Sequence, residues 1–130
     1  MLQQVTLLLG LVVLRTQVWS IHYEFVDISK NLSYFVMSVE FAVFQYNEDN
    51  VDEYAYKLLR IRRSQRKRLT WIYLMDLEMG RTVCKKHEED IENCPLQKGP
   101  GEKQVRCSFL VDALPIYTKF TLLNSTCVDE

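Results

Sequence analysis

Between residues 30 and 46 apolar side chains fall at Leu32, Phe35, Val36, Val39, Ala42, Val43 and Tyr46. This is the i, i+3, i+4, i+7 spacing of one helical face. It predicts one long amphipathic helix, capped by Asp27 or Ser29 and ended by the turn formers Asn47, Glu48, Asp49 and Asn50. After Asp52 the period changes. Trp71, Tyr73, Met75, Leu77 and Met79 alternate with Ile72, Leu74, Asp76 and Glu78, and a period of two assigns each set to one face of a sheet. Residues 54–63 form the expected partner strand, with the charged stretch 65–68 as the connecting turn. Two further β-rich runs, 105–114 and 117–123, flank Pro115-Ile116. The polar stretch 85–103, with Pro95, Gly99, Pro100 and Gly101, reads as a long loop. One helix followed by antiparallel hairpins implies an α+β domain, because a twisted antiparallel sheet with one apolar face can cover the helical stripe.

Ahead of the helix, residues 5–14 (VTLLLGLVVL) form an unbroken apolar run, short for a bilayer span. Val18 and Ser20 suit the −3 and −1 positions of a signal-peptidase site, so residues 1–20 read as a signal peptide and residues 21–130 as one domain. The alternative is an uncleaved anchor, since Met1-Leu2-Gln3-Gln4 carries no Lys or Arg. No second apolar stretch of spanning length follows, so stable membrane insertion is not expected. Four cysteines in a short exported chain imply two disulfides. A hairpin centred near residue 117 sets Cys107 opposite Cys127, which leaves Cys84 for Cys94. Each bridge contributes roughly 3 kcal/mol on a chain-entropy argument. Zinc is the competing use of the four thiols, but no C-x-x-C knuckle is present and His87 is the one histidine nearby; no cofactor is expected. Asn31 and Asn124 head the sequons Asn31-Leu32-Ser33 and Asn124-Ser125-Thr126 and are candidate glycan acceptors.

The net charge of −1 conceals a basic cluster of Arg60, Arg62, Arg63, Arg66, Lys67 and Arg68. Three readings compete: a solvated strand face, a docking patch for a sulfated polysaccharide, anionic membrane or acidic partner, and a convertase site cut after Arg68. Nucleic acid is not an expected partner of an exported, nearly neutral chain without an aromatic-lined basic groove. Catalysis has no candidate either. His22 and His87 lack a nucleophile once the thiols are bridged, and Asp76 with Glu78 reads as a charged outer strand face.

Several motifs here resemble those of the secreted, type 2 cystatins, inhibitors of papain-like cysteine proteases. They are Glu40-Phe41-Ala42-Val43 and Tyr46-Asn47, the run from Asp76 through Gly80-Arg81-Thr82-Val83-Cys84 to Lys86, Asn93-Cys94-Pro95, Cys107-Ser108-Phe109, and Ser125-Thr126-Cys127-Val128-Asp129. The resemblance implies a cystatin fold, about five antiparallel strands around one helix. It also implies a three-part wedge: an N-terminal stretch with a glycine, a first hairpin tip reading Gln-x-Val-x-Gly, and a second reading Pro-Trp. Counted back without gaps from Asp76, the first tip falls on Arg66, Lys67, Arg68, Leu69 and Thr70; the second keeps Pro115 but has Ile116 for the Trp; residues 21–29 contain no glycine. Members that inhibit legumain use an asparagine after the helix, for which Asn50 is the formal candidate. A divergent subgroup expressed mainly in the male reproductive tract also lacks the wedge motifs, and this sequence resembles it. The expectation is therefore a secreted cystatin-like protein that is not an effective inhibitor of papain-like proteases and acts by binding an extracellular protein or anionic surface, or by self-association. The alternative is a weak or retargeted protease inhibitor.

Overall fold

The computed structural model describes residues 24–117 and 119–130. In chain order these form β1 (Phe25–Asp27), α1 (Ser33–Asp49), β2 (Tyr54–Lys67), β3 (Ile72–Lys85), β4 (Gln104–Asp112) and β5 (Thr121–Asp129). The strands make one antiparallel sheet in the order β1-β2-β3-β4-β5. The helix packs on one face of it, as the change of period predicts. The signal peptide assigned to residues 1–20 lies outside the described residues, as does His22.

Strand β3 carries the alternation. Tyr73, Met75, Leu77 and Met79 are buried toward the helix, joined by Val105, Cys107, Phe109 and Val111 from β4. The Phe35 ring meets the Tyr73 ring edge-on at 5.7 Å. The buried stripe of α1 is Phe35, Ser38, Val39, Ala42 and Asn47, rotated from the purely apolar stripe. Leu32 and Val36 are instead 44% and 39% exposed. Two polar residues belong to the stripe because their hydrogen bonds are internal. Ser38 Oγ donates to Tyr34 O at 2.7 Å. Asn47 accepts from Tyr56 N at 2.8 Å and donates to Tyr56 O at 3.0 Å, acting as a strand partner for the start of β2. Asn47 thus lies inside the helix, which runs on to Asp49, and does not end it. Neither expected cap is used: Leu32 sits at the N-cap without a side-chain bond, Asp27 accepts from Gln65 Nε2 across β1 and β2, and Ser29 Oγ accepts from Asn31 N.

The stretch from Gly80 to Cys84 is a scaffold joint. A Cβ on Gly80 would lie 2.8 Å from Leu96 Cδ2 and 3.0 Å from Leu59 Cδ1, so the missing side chain lets the long loop close over the sheet. Thr82, fully buried, donates its hydroxyl to Ala55 O at 2.7 Å. Arg81 donates through Nη1 to Asp52 Oδ2 at 3.0 Å and through Nη2 to Gly101 O at 2.8 Å, linking the α1–β2 connection to the loop. The loop runs back along β3, with Val83 N donating to Pro95 O and Gln97 N to Arg81 O. Disulfides join Cys84 to Cys94 and Cys107 to Cys127, with Cα separations of 6.1 Å and 4.1 Å.

Two strand boundaries differ from the sequence pattern. β2 continues through the charged stretch to Lys67, because β1 pairs with its last three residues. β5 begins at Thr121 and runs to Asp129, because Pro115–Tyr117 is a 3₁₀ turn that takes up the residues expected to open the strand.

Burial acts to raise the Asp52 carboxyl, but hydrogen bonds from Tyr54 N, Tyr56 Oη and Arg81, with the Arg81 charge, outweigh it and hold its pKa below 3.8. A depressed folded-state value means the stabilisation is complete above the ordinary carboxylate range and is lost as pH falls through the folded pKa. Asp52→Asn should therefore cost about 1–2 kcal/mol at neutral pH. Urea melts from pH 7 down to pH 2 should show the variant losing less stability than the parent below about pH 4.

Candidate functional site: the hairpin edge and the outer face

The meander brings the β2–β3 tip, the β4–β5 tip and the start of β1 to one end of the sheet. Backbone bonds tie them together: Arg68 N donates to Glu24 O at 2.7 Å, and Ala113 N to Trp71 O at 3.0 Å. This end gathers the segments that the resemblance expects to form the three-part wedge.

The turn of the first tip coincides only in part with the five residues of the ungapped count. Arg66 and Lys67 are strand residues opposite Val26 and Phe25, so the turn comprises Arg68, Leu69, Thr70 and Trp71. The cations also point apart. Arg66 faces the helix side, against the Tyr73 hydroxyl, with its Nε buried and unpaired. Lys67 Nζ lies 3.7 Å from a Glu24 carboxylate oxygen. One cation, Arg68, is left at the tip itself. Leu69 forms the apex, fully exposed and with φ of 59°, a left-handed conformation that costs a branched side chain. Thr70 closes the turn: its N and Oγ1 both donate to Lys67 O, and Oγ1 accepts from Ile72 N. Trp71 does not project from the tip but packs its ring edge-to-face on Tyr34 at 5.2 Å. In the second tip Pro115 opens the 3₁₀ turn and Ile116 is 89% exposed.

The remaining members of the basic cluster form a different site. Asp76 and Glu78 lie on the sheet face away from the helix, yet they are nearly buried, with side chains 8% and 9% exposed. Arginines cover them. Arg62 Nε donates to Glu78 Oε1 in a very short contact, and Arg60 Nε lies 3.9 Å from Oε2. Arg63 Nε and Arg106 Nη2 approach Asp76 Oδ2 at 3.4 Å and 3.7 Å, and Ser108 Oγ donates to Oδ1 at 2.6 Å. Register shifts between Leu58 and Arg60 and between Ile61 and Arg63 let three arginines of β2 reach two acids of β3. The sequence reading missed Arg106, which alternation along β4 opposite Glu78 signals. The two acids do lie on a charged outer strand face, as their alternation implies, but close under the arginines.

Asn31 and Asn124 are both exposed, Asn31 just before the helix and Asn124 on the edge strand β5. Asn50 caps the helix C-terminus, its N donating to Tyr46 O, and its carbonyl accepts from Lys86 Nζ. Cys84 and Cys94 lie close to Glu88, but both sulfurs are committed to their disulfide. His87 pairs with Glu48 at 3.4 Å. At the C-terminal half of α1, away from the tips, a groove of about 740 Å³ is lined by Val43, Phe44, Leu58, Leu59, Ile91 and Leu96; the alternation pattern gave no sign of it.

Pairing of residues 65 and 66 on both sides, and of Lys67 with β1, has a direct consequence for proteolysis. Brief digestion of the native protein by trypsin should cut the 60–68 segment after Arg68, at the turn, and spare the bonds after Arg62, Arg63, Arg66 and Lys67. Mass spectrometry of the fragments reads this out, and early cleavage after Arg66 would show the strand end to be open.

Comparison with known proteins agrees with this architecture. Residues 24–115 match the cystatin domain family. The chain is 64% identical to a protein named probable cystatin-16 from Bos taurus over 97% of its length and all of the relative. It is 58% identical to cystatin domain-containing protein 1 of Rattus norvegicus, covering 96% of each. Among solved structures, dimeric human cystatin F superposes with a TM-score of 0.70 at 23% identity, over 79% of this chain and 84% of that one, a likeness of fold. A match over most of the chain, relatives above half identity and a shared one-helix, five-strand architecture lead to one conclusion: the protein belongs to the cystatin family, a family of protease inhibitors and not of enzymes.

Proposed function

We propose that this cystatin is an exported protein that does not inhibit papain-like proteases effectively and acts by binding an extracellular partner or by self-association. The observation that carries the reading is the hairpin edge. Its first tip has no glycine and places Leu69 at a positive φ beside Arg68, and its second offers Ile116 where the family wedge offers an indole. A wedge entering a protease cleft needs close backbone approach, which a glycine permits, and a fully desolvated anchor. Loss of a Trp anchor costs about 2 kcal/mol, and burying the Arg68 charge without a partner costs at least as much, on the order of 2 kcal/mol or more. Together about 4 kcal/mol weakens a nanomolar inhibitor roughly a thousandfold.

Export is supported by the apolar segment 5–14 with small residues at 18 and 20, by two disulfides, and by sequons whose Asn31 and Asn124 are exposed. Among the described residues no helix is long and apolar enough to cross a membrane. A second reading, a retargeted protease inhibitor, draws on the preserved convergence of the three segments and on the exposure of Leu69 and Ile116 at their apex. Apolar tips of this kind suit a cleft of different shape.

The unmodified protein should fail to half-inhibit papain or a lysosomal cathepsin at about 0.1 µM, measured with a fluorogenic substrate. Leu69→Gly with Ile116→Trp, which relieves the positive-φ side chain and supplies an aromatic anchor, should raise inhibition measurably. Nanomolar inhibition by the parent chain would refute the reading. Strong inhibition of one protease outside the papain-like group would select the retargeted inhibitor.

A further inference from the structure

We infer that the outer face of the sheet, centred on Arg60, Arg62, Arg63 and Arg106, is a docking surface for a sulfated polysaccharide. Four guanidinium groups stand over two carboxylates on this face, leaving two net positive charges in one cluster. The carboxylates do more than neutralise. Being nearly buried, they form a fixed base for the arginines: Arg62 donates from Nε to Glu78, and Arg60 and Arg63 approach Glu78 and Asp76 through Nε at 3.9 Å and 3.4 Å. The four arginine side chains remain 44–64% exposed, so their guanidinium groups are accessible from solvent while they lie beside the acids. A guanidinium whose stem and Nε are already fixed loses less rotamer freedom when it binds an oxyanion, and its planar fork matches sulfate geometry.

The array crosses three neighbouring strands, so it spans roughly 10 Å at the usual spacing of about 4.8 Å. That is an extended contact suited to successive groups of a linear polyanion, not a pocket for one ion. A bilayer is the poorer fit. Leu69 and Ile116, among the most exposed apolar residues, sit on the hairpin edge; beside the arginines, Val128 opposite Arg106 is short, and Leu74 and Leu110 are only partly exposed, so no large projecting apolar anchor flanks them. The stretch Arg66-Lys67-Arg68, the denser run in sequence, is the weaker candidate, because its cations point to different sides.

This inference deepens the reading of the chain as an extracellular binding protein, yet it fails separately from it. Papain inhibition does not depend on the outer-face arginines, and heparin retention does not depend on the wedge. The test is salt elution of the disulfide-bonded protein from immobilised heparin. The parent should be retained at about 0.15 M salt. Arg60→Gln with Arg106→Gln should elute at clearly lower salt, and the slope of log affinity against log salt should fall by about one to two, as counterion release requires. This pair is chosen because Glu78 keeps Arg62 while Asp76 keeps Arg63 and Ser108, so neither carboxylate is orphaned; an unchanged melting temperature checks the fold. Arg66→Gln with Arg68→Gln removes equal charge from the other site and should leave elution near that of the parent. Arg60→Lys with Arg106→Lys, which keeps the charge and loses the fork, should elute between parent and glutamine variant. Flow-through of the parent, an equal loss in the Arg66 and Arg68 variant, or sedimentation with phosphatidylserine vesicles without heparin retention would each overturn the proposal.

Discussion

The architecture depends on the strict two-residue period of β3, the central strand of the five, paired with β2 on one side and β4 on the other. Its odd positions supply Tyr73, Met75, Leu77 and Met79 to the helix, and its even positions supply Asp76 and Glu78 to the opposite face. A slip of one residue would bury two carboxylates against the helix and expose four large apolar side chains, at a cost no other part of a domain this size could offset. With β3 fixed, β2 and β4 have no freedom of register. The helix then packs with Phe35 edge-on to Tyr73, in the core they share with Phe109, and the two hairpin tips necessarily share one end of the sheet.

The outer face shows how a single-layer sheet treats the side that no helix covers. Acids on a central strand are desolvated by the strands on either side, and removal from water is expensive for a carboxylate unless cations replace the lost hydration. Here arginines from β2 and β4 do so with long stems lying over the strand. The register shifts in β2 follow from the same need, since strict alternation would present Arg60 and Arg62 but turn Arg63 toward the core. Electrostatics and strand geometry are therefore coupled: the bulges bring the third arginine out, and the acids hold it there.

Much of this was readable in the sequence, and the misses have physical causes. Periodicity located the helix and the alternation of β3, and hairpin arithmetic set Cys107 opposite Cys127, because these depend on local spacing. The Gly80-Arg81-Thr82 run was recognisable as a motif, but its reasons were not, since Leu96, Asp52 and Gly101 meet it only after the loop has folded back. Asn47 was read as a helix terminator because its side-chain type favours turns; its partner, the Tyr56 backbone, lies across a connection that spacing cannot place. The turn was read as starting too early, at residue 65, for a similar reason. Three residues of β1 extend β2 through a charged run that on its own looks like a turn, and nothing in residues 60–68 announces that pairing.

That correction changes the argument about the wedge as much as it changes its geometry. Three adjacent cations at a tip would make electrostatic repulsion and desolvation the whole obstacle to entering a protease cleft. With Arg66 turned to Tyr73 and Lys67 near Glu24, the obstacle becomes one charge, one strained leucine and one missing anchor. The bonds that hold the fold together, at Asn47, Asp52, Arg81 and the loop, gather at the other end of the molecule, so the tip residues lie outside their network and can change with little effect on it. The edge is thus free to lose one binding mode while the scaffold persists. Of the surfaces the scaffold presents, the outer face is where two nearly buried carboxylates gather four arginines on one side, and the proposed polyanion docking draws on that arrangement.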